Sequence, residues 1–196
     1  MGSVTCDNMS IHHSKRNEAL VIMDKQMYYT DEFVKGGVLE IVRQMYTADY
    51  RPDYIVGLTR GGLIPGVMLS HYLNIPFYAL DPAESNLWMA EDAFGTVPSE
   101  EQETYKSRWD VSMRKNILIV DDINDTGNTF KNIVSDWQGG CLPKEQTAWA
   151  SVWHKNVRFA VLIENQASEF ETDFVGLAIN KAENPEWCVF PWEDWW

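Results

Sequence analysis

Asn116–Thr129 reads Asn-Ile-Leu-Ile-Val-Asp-Asp-Ile-Asn-Asp-Thr-Gly-Asn-Thr, and this stretch decides the fold. Ile117 to Val120 are all apolar and three of the four are β-branched, the composition of a strand buried on both faces. Asp121 and Asp122 stand where such a strand would end. Asp125 follows, then Thr126, Gly127, Asn128 and Thr129. Phe130, Ile133, Val134 and Trp137 then recur at helical spacing. The order is therefore buried strand, acidic tip, small polar loop, helix. In an open parallel sheet, ligands bind at the carboxyl ends of the strands.

The loop composition indicates the ligand chemistry. Thr126 to Thr129 offer hydroxyls, an unobstructed backbone and a helix start, whose free N–H groups suit a phosphate. Asp121 and Asp122 offer oxygen acceptors for sugar hydroxyls or a hard cation. A carboxylate about 4 Å from a phosphate charge is repelled by roughly 4 kcal/mol at an effective dielectric near 20. A polyphosphate beside these acids calls for a bridging cation, and Mg²⁺ with oxygen ligands fits.

Val120–Thr129 resembles the phosphoribosyl-pyrophosphate (PRPP) motif of type I phosphoribosyltransferases: two acids, a spacer, then Asp-Thr-Gly-x-Thr. The resemblance implies a central parallel sheet with helices on both faces and a small hood. It also implies that Asp121 and Asp122 bind the ribose hydroxyls directly or through Mg²⁺, and that Thr126, Gly127, Asn128 and Thr129 seat the 5′-phosphate. Asp125 would manage the proton near purine N7 as general base.

A second strand–helix unit supports this reading. Tyr54–Leu58 is a short apolar strand, followed by Thr59-Arg60-Gly61-Gly62 and a helix from Leu63 to about Leu73. Glycines at such a turn let backbone approach a ligand closely, and Arg60 adds a positive charge beside a helix N-terminus. Ile55–Leu73 resembles the first PRPP loop of bacterial xanthine-guanine phosphoribosyltransferases, where a peptide bond is commonly cis. The resemblance places pyrophosphate on Thr59, Arg60 and Gly61.

The remaining elements follow in order. Residues 1–27 are polar and irregular and are expected to form a mobile tail; 28–196 form one domain, with the hood mainly from about 164 to 196. Thr30 is a predicted N-cap for an amphipathic helix to about Tyr46. Ile75–Leu80 reads as a strand. Asp81 to about Asp110 is the least regular segment and stands where the family carries a loop that closes over the reacting centre. Lys106, Arg108 and Arg114 are its candidate pyrophosphate contacts. Pro143 is a candidate first-turn proline, and Trp149, Val152 and Trp153 share one face of a predicted helix in a segment that resembles an insertion.

Val157–Ile163 is a further buried strand and Phe174–Ile179 another. In 6-oxopurine phosphoribosyltransferases the end of the former strand bears a lysine that hydrogen-bonds the purine O6. Here Glu164-Asn165 stands there, and Asn165 can offer an amide N–H without charge. Lys155 precedes this strand and Lys181 follows the next, so position assigns the role to neither. Trp187 to Glu193 resembles the family's hood segment, in which the aromatic stacks on the base and backbone just after it reads the base edge. Those roles fall on Trp187 and Cys188. Trp192, Trp195 and Trp196 are assigned to packing or a subunit contact, and a homo-oligomer is expected.

Composition excludes several classes. A formal net charge of −13 argues against a nucleic-acid partner. The sequence contains no apolar run of membrane-spanning length, so no membrane association is expected. The first residues show neither an apolar leader-like stretch nor a complete myristoylation signal, and the three scattered cysteines read as reduced thiols. A cytoplasmic protein is expected. The function this implies is transfer of a phosphoribosyl group from PRPP to a purine base (guanine, xanthine or hypoxanthine). Two alternatives stand beside it: a PRPP-binding regulator without catalysis, and a transferase for a non-purine base.

Overall fold

The computed structural model describes residues 25–96 and 109–193. The expected tail thus lies outside the described residues, except that Lys25–Tyr28 forms strand β1, slightly ahead of the expected domain start at 28. Thr30 caps helix α1 (Asp31–Thr47), its hydroxyl accepting the Phe33 N–H at 3.2 Å. Val34, Val38, Ile41, Val42 and Met45 give this helix one buried face. Strand β2 (Tyr54–Leu58) is buried throughout and leads into helix α2 (Leu63–Leu73), which ends at the left-handed Asn74. Strand β3 (Phe77–Leu80) follows, two residues shorter than the sequence predicts.

Residues 81–96, the described first part of the irregular segment, are more regular than their composition suggests. It contains helix α3 (Leu87–Phe94), which buries Met89, Ala90, Ala93 and Phe94 along one side and ends at the left-handed Gly95. Four short apolar positions were too few to stand out among the surrounding acids. Thr96 bridges antiparallel to Trp109. Residues 97–108 lie outside the described residues, and with them Lys106 and Arg108.

Strand β4 (Ile117–Asn124) runs four residues past the expected tip. Its ladder with β2 stops at Gly57–Val120, whereas its ladder with strand β5 (Val157–Asn165) continues through Asp121–Val161, Ile123–Ile163 and Asn124–Glu164. The two acids are thus carried by strand backbone that is paired on one side only. Helix α4 (Asn128–Gly140) follows directly, then a cis Leu142–Pro143 bond and the short helix α5 (Gln146–Trp149). The Trp149 indole N–H donates to the Pro143 carbonyl at 2.9 Å, so Pro143 acts as an acceptor ahead of α5 and not as its first turn. Strands β6 (Phe174–Ile179) and β7 (Glu186–Val189) complete the described chain.

The main sheet has the order β3-β2-β4-β5-β6 and is parallel throughout. Alternating residues feed two cores, as strands covered on both faces require. Ile117, Ile119, Phe159 and Val161 pack with α3, α4 and Trp149. Leu118, Val120, Ala160 and Leu162 pack with α1 and Leu69 of α2. Strands β1 and β7 pair in parallel as a separate two-stranded sheet, the hood. No helix among the described residues is long and apolar enough to cross a membrane.

Candidate active site

The order of strands places the site. The chain moves outward from β2 to β3, then returns to the other side of β2 for β4, β5 and β6. The reversal falls between β2 and β4. Connections leave those two strands in opposite directions, and a crevice opens at their carboxyl ends. Both loops singled out in the sequence lie there.

The first turn contains a cis Thr59–Arg60 peptide bond. The Thr59 N–H donates to the Leu80 carbonyl at 2.9 Å, and Arg60 beside it is exposed. Gly61 lies against the second turn. A Cβ built on it would sit 2.1 Å from Asp122 Oδ2 and 2.3 Å from Asp122 Cγ, so only glycine admits this approach. The turn after Leu58 and the acids after Val120 therefore converge.

The acids are crowded and poorly solvated. Asp121 Oδ1 accepts the Asp122 N–H at 3.0 Å, and Asp122 Oδ1 accepts the Ile123 N–H at 2.8 Å. Burial pushes the Asp121 carboxyl well above the usual carboxylate range, and the Asp122 charge beside it adds to this. Burial also raises Asp122, helped by Glu193. Glu193 reaches the site from the chain end just after β7, where its Oε2 accepts the Phe190 N–H at 3.0 Å. Sequence reading gave Glu193 no role, although its place in the Pro-Trp-acid run was the available signal.

This donor set fits Mg²⁺. The carboxylate oxygens are hard ligands, and concentrated negative charge in a desolvated crevice favours a cation. Among the described residues no group of three or more His, Cys, Asp or Glu could enclose a metal. An ion held by one or two carboxylates and completed by substrate phosphates matches that arrangement.

Asp121 through Phe130 line a cavity of about 220 Å³ that holds the small polar loop. Gly127 sits at φ +85°, and a Cβ there would lie 2.6 Å from Phe170 Cβ. It stands immediately before α4, so the free N–H groups of that helix face the loop. The Glu169 N–H donates to the Thr126 carbonyl at 3.3 Å, and Glu169 also pairs with Lys131 in the first turn of α4. The segment after β5 thereby braces the loop from outside.

Asp125 occupies the centre of a network. Lys181 Nζ lies 2.8 Å from Asp125 Oδ2. Asn165 Nδ2 donates to the Asp125 carbonyl at 2.9 Å and to its Oδ1 at 3.2 Å. Asn165 Oδ1 accepts the backbone N–H groups of Ala167 and Lys181. The buried Asn165 is thus engaged at both ends, with its amide donors turned to Asp125. Glu164, the other half of the departure from the family pattern, accepts from Asn124 Nδ2 and Thr172 Oγ1 and serves as a bracket beneath the loop.

The hood presents Trp187 and Cys188 differently. Trp187 is 58% exposed, an open indole face on the hood, while Cys188 is buried. Burial raises the Cys188 thiol, with the Tyr29 hydroxyl, Lys181 and Asp125 among the groups that act on it. Trp192 stacks on Phe190 with centroids 5.0 Å apart, a packing role. Trp195 and Trp196 lie outside the described residues. Arg114 packs its guanidinium over Phe94 and donates to the Phe94 and Ser151 carbonyls, which holds it to the body of the fold on the α3 side.

A parallel sheet with a switch-point crevice, an Arg-Gly turn and an acidic strand running into a small polar loop define the type I phosphoribosyltransferase fold. The chain belongs to the phosphoribosyl transferase domain family, which matches residues 27–193. It is 27% identical over 131 residues to xanthine phosphoribosyltransferase 1 of Saccharomyces cerevisiae, covering 58% of this chain and 60% of that protein. Its fold is similar to a purine phosphoribosyltransferase from Pyrococcus horikoshii (TM-score 0.55, 22% identity, 87% of this chain and 95% of the other). A xanthine-guanine-hypoxanthine phosphoribosyltransferase from Helicobacter pylori is similar to the same degree (TM-score 0.56, 20% identity, 86% and 94%). The resemblance read from the two loops, and the fold it implied, are borne out.

Proposed function

We propose that this chain transfers the 5-phosphoribosyl group of PRPP to a purine base, giving a nucleoside monophosphate and pyrophosphate. The observation that carries this reading is the contact of Gly61 with Asp122, which joins a pyrophosphate-type turn to an acidic sugar-phosphate strand. The yeast relative and the two structural neighbours, by their names, act on purines, so guanine, xanthine and hypoxanthine are the expected acceptors.

The reaction breaks the bond from the sugar C1 to pyrophosphate oxygen and forms one from C1 to a ring nitrogen of the base. A transition state at an anomeric centre is oxocarbenium-like, so it gains from nearby negative charge and from stabilisation of the leaving group. Thr59, the Gly61 backbone and Arg60 hold the pyrophosphate. Asp121 and Asp122 orient the ribose hydroxyls and hold Mg²⁺. Mg²⁺ held by these two carboxylates would supply charge neutralisation at the leaving oxygens. Thr126, Gly127, Asn128 and Thr129 seat the 5′-phosphate against the start of α4. Asp125 accepts the proton released from the base. Trp187 stacks on the base and the Cys188 backbone meets its edge. Such an activity belongs to purine salvage in the cytoplasm, and a homo-oligomer is the expected assembly.

The test is pyrophosphate release from PRPP and Mg²⁺ with guanine, xanthine, hypoxanthine, adenine, uracil and orotate in parallel. Release with a purine supports the proposal. Tight PRPP binding with no release for any base would replace it with a non-catalytic PRPP-binding role.

A further inference from the structure

We infer that Glu164 is a positioning residue for the 5′-phosphate of the substrate, acting through Asn124 and Phe170 on the Gly127 turn without touching the ligand. The inference rests on the proposed PRPP site and deepens it.

Glu164 and Asn165 are neighbours at the end of β5, yet their side chains serve different partners. Asn165 turns onto Asp125, whereas Glu164 faces a polar cluster under the loop. Glu164 Oε1 accepts from Asn124 Nδ2 at 2.8 Å and Oε2 accepts from the Thr172 hydroxyl at 2.5 Å, so both oxygens of the carboxylate are held. Asn124 is 2% exposed and ends β4, one residue before Asp125. Its Nδ2 also donates to the Phe170 carbonyl at 2.5 Å, and its Oδ1 accepts from the Ser168 hydroxyl at 3.1 Å. Phe170 passes this arrangement to the loop. A Cβ on Gly127 would lie 2.6 Å from Phe170 Cβ and 2.8 Å from Phe170 N, so the Phe170 backbone abuts the turn. The Phe170 ring is backed by Phe130 and Phe159, at centroid distances of 5.3 and 4.8 Å. The Glu169 N–H, on the Thr126 carbonyl, fastens the same segment one residue earlier.

A phosphate seat works by holding several backbone N–H groups at one point. Glycine visits many backbone conformations, so the left-handed Gly127 turn needs outside contacts to select it. Phe170 supplies one, and the Asn124 amide holds Phe170 in place. Glu164 in turn fixes that amide. Without the carboxylate, a buried Asn124 N–H loses its acceptor and the amide turns to find another, which loosens Phe170 and the seat behind it. A seat ordered in advance spares that cost on binding. Glutamine at 164 keeps the arrangement, since its Oε1 accepts from Asn124 and its Nε2 donates to the Thr172 hydroxyl.

The nucleoside monophosphate product carries the 5′-phosphate without pyrophosphate, and pyrophosphate is the reverse, so inhibition by the two products separates the two loops. Wild type, Glu164→Ala and Glu164→Gln are compared for calorimetric affinity for PRPP and the monophosphate, inhibition by each product, and melting temperature. Glu164→Ala is expected to weaken PRPP and the monophosphate by about 10- to 100-fold, the range for groups that orient a ligand-binding residue at one remove. Pyrophosphate inhibition stays within about twofold, since that product is assigned to the other turn. Glu164→Gln recovers most of the loss. Thr172→Val removes one donor to the carboxylate and gives the same selective pattern more weakly, which serves if Glu164→Ala does not fold. Equal weakening of both products overturns the inference. So does a lowered melting temperature with both product constants intact, the mark of a merely structural contact, or a Glu164→Gln protein as impaired as Glu164→Ala. A wild type that binds PRPP but releases pyrophosphate with no base defeats the transfer reading, while the variants' PRPP and monophosphate affinities still decide this inference. A wild type that does not bind PRPP defeats both.

Discussion

Gly61→Ala probes the contact on which the site depends. The added methyl would lie 2.1 Å from Asp122 Oδ2, 2.5 Å from Oδ1 and 2.3 Å from Cγ. Ordinary contact begins near 3.4 Å, so the carboxylate or the turn must retreat by about 1.3 Å. Asp122 cannot yield freely, because its Oδ1 is tied to the Ile123 N–H and β4 continues in ladder with β5. Overpacking of this kind costs about 1–3 kcal/mol of stability, or about 2–12 °C in melting temperature for a domain of this size. The larger effect falls on function. A displacement of about 1 Å between groups that must act together lowers rate by about 100-fold, on the order of 2.7 kcal/mol. Steady-state pyrophosphate release, PRPP calorimetry and thermal denaturation should be run on Gly61→Ala and on Gly36→Ala. Gly36 lies in α1, and its added methyl would meet nothing within 4 Å, so it should leave activity intact and raise helix stability by about 0.5–1 kcal/mol. A folded Gly61→Ala protein with wild-type PRPP affinity and turnover would refute the convergence of the two turns on one substrate.

Asp125→Ala should reduce turnover by about 100- to 10,000-fold while changing PRPP affinity far less; equal losses of both would remove Asp125 from proton transfer. Trp187→Ala should weaken base binding by on the order of 1–3 kcal/mol without altering PRPP affinity, read as a rise in the KM for the base alone. The raised Asp122 carboxyl gives a pH dependence. Its folded value of about 6 exceeds the ordinary 3.8, so the ligand-free fold binds an extra proton between those values. That contribution to stability is present below about pH 4 and is lost as pH rises through 6. Binding of Mg²⁺ and PRPP demands the charged form, so affinity should strengthen from pH 5 to 7 with release of protons. Calorimetry in two buffers of different ionisation enthalpy measures this, with Asp122→Asn as the reference; an identical pH dependence in the two proteins contradicts the assignment.

Much of the architecture was legible because it is written in short-range patterns. Ile117 to Val120 and Tyr54–Leu58 are continuous apolar runs, which only strands covered on both faces tolerate. Thr30 before Asp31 and Glu32, and the periodic Phe130, Ile133 and Trp137, mark helices by chemistry local to each turn. The two loops were legible for the same reason: closely approaching backbone and phosphate-seating N–H groups require small residues at fixed spacing. Helix α3 was missed because its apolar positions span barely two turns within an acidic stretch.

The sequence by itself determined a parallel α/β sheet, the two strand-to-helix loops and the family they resemble, since each depends on neighbours a few residues apart. Only the tertiary structure decided how distant residues meet. It seats Gly61 on Asp122, brings Glu193 from the chain end to the same acids, turns the Asn165 amide onto Asp125, and carries Lys181 from beyond β6 to the carboxylate 56 residues earlier. Register and strand order make those contacts, and both are set by burial summed over the whole sheet, which no local run of residues encodes.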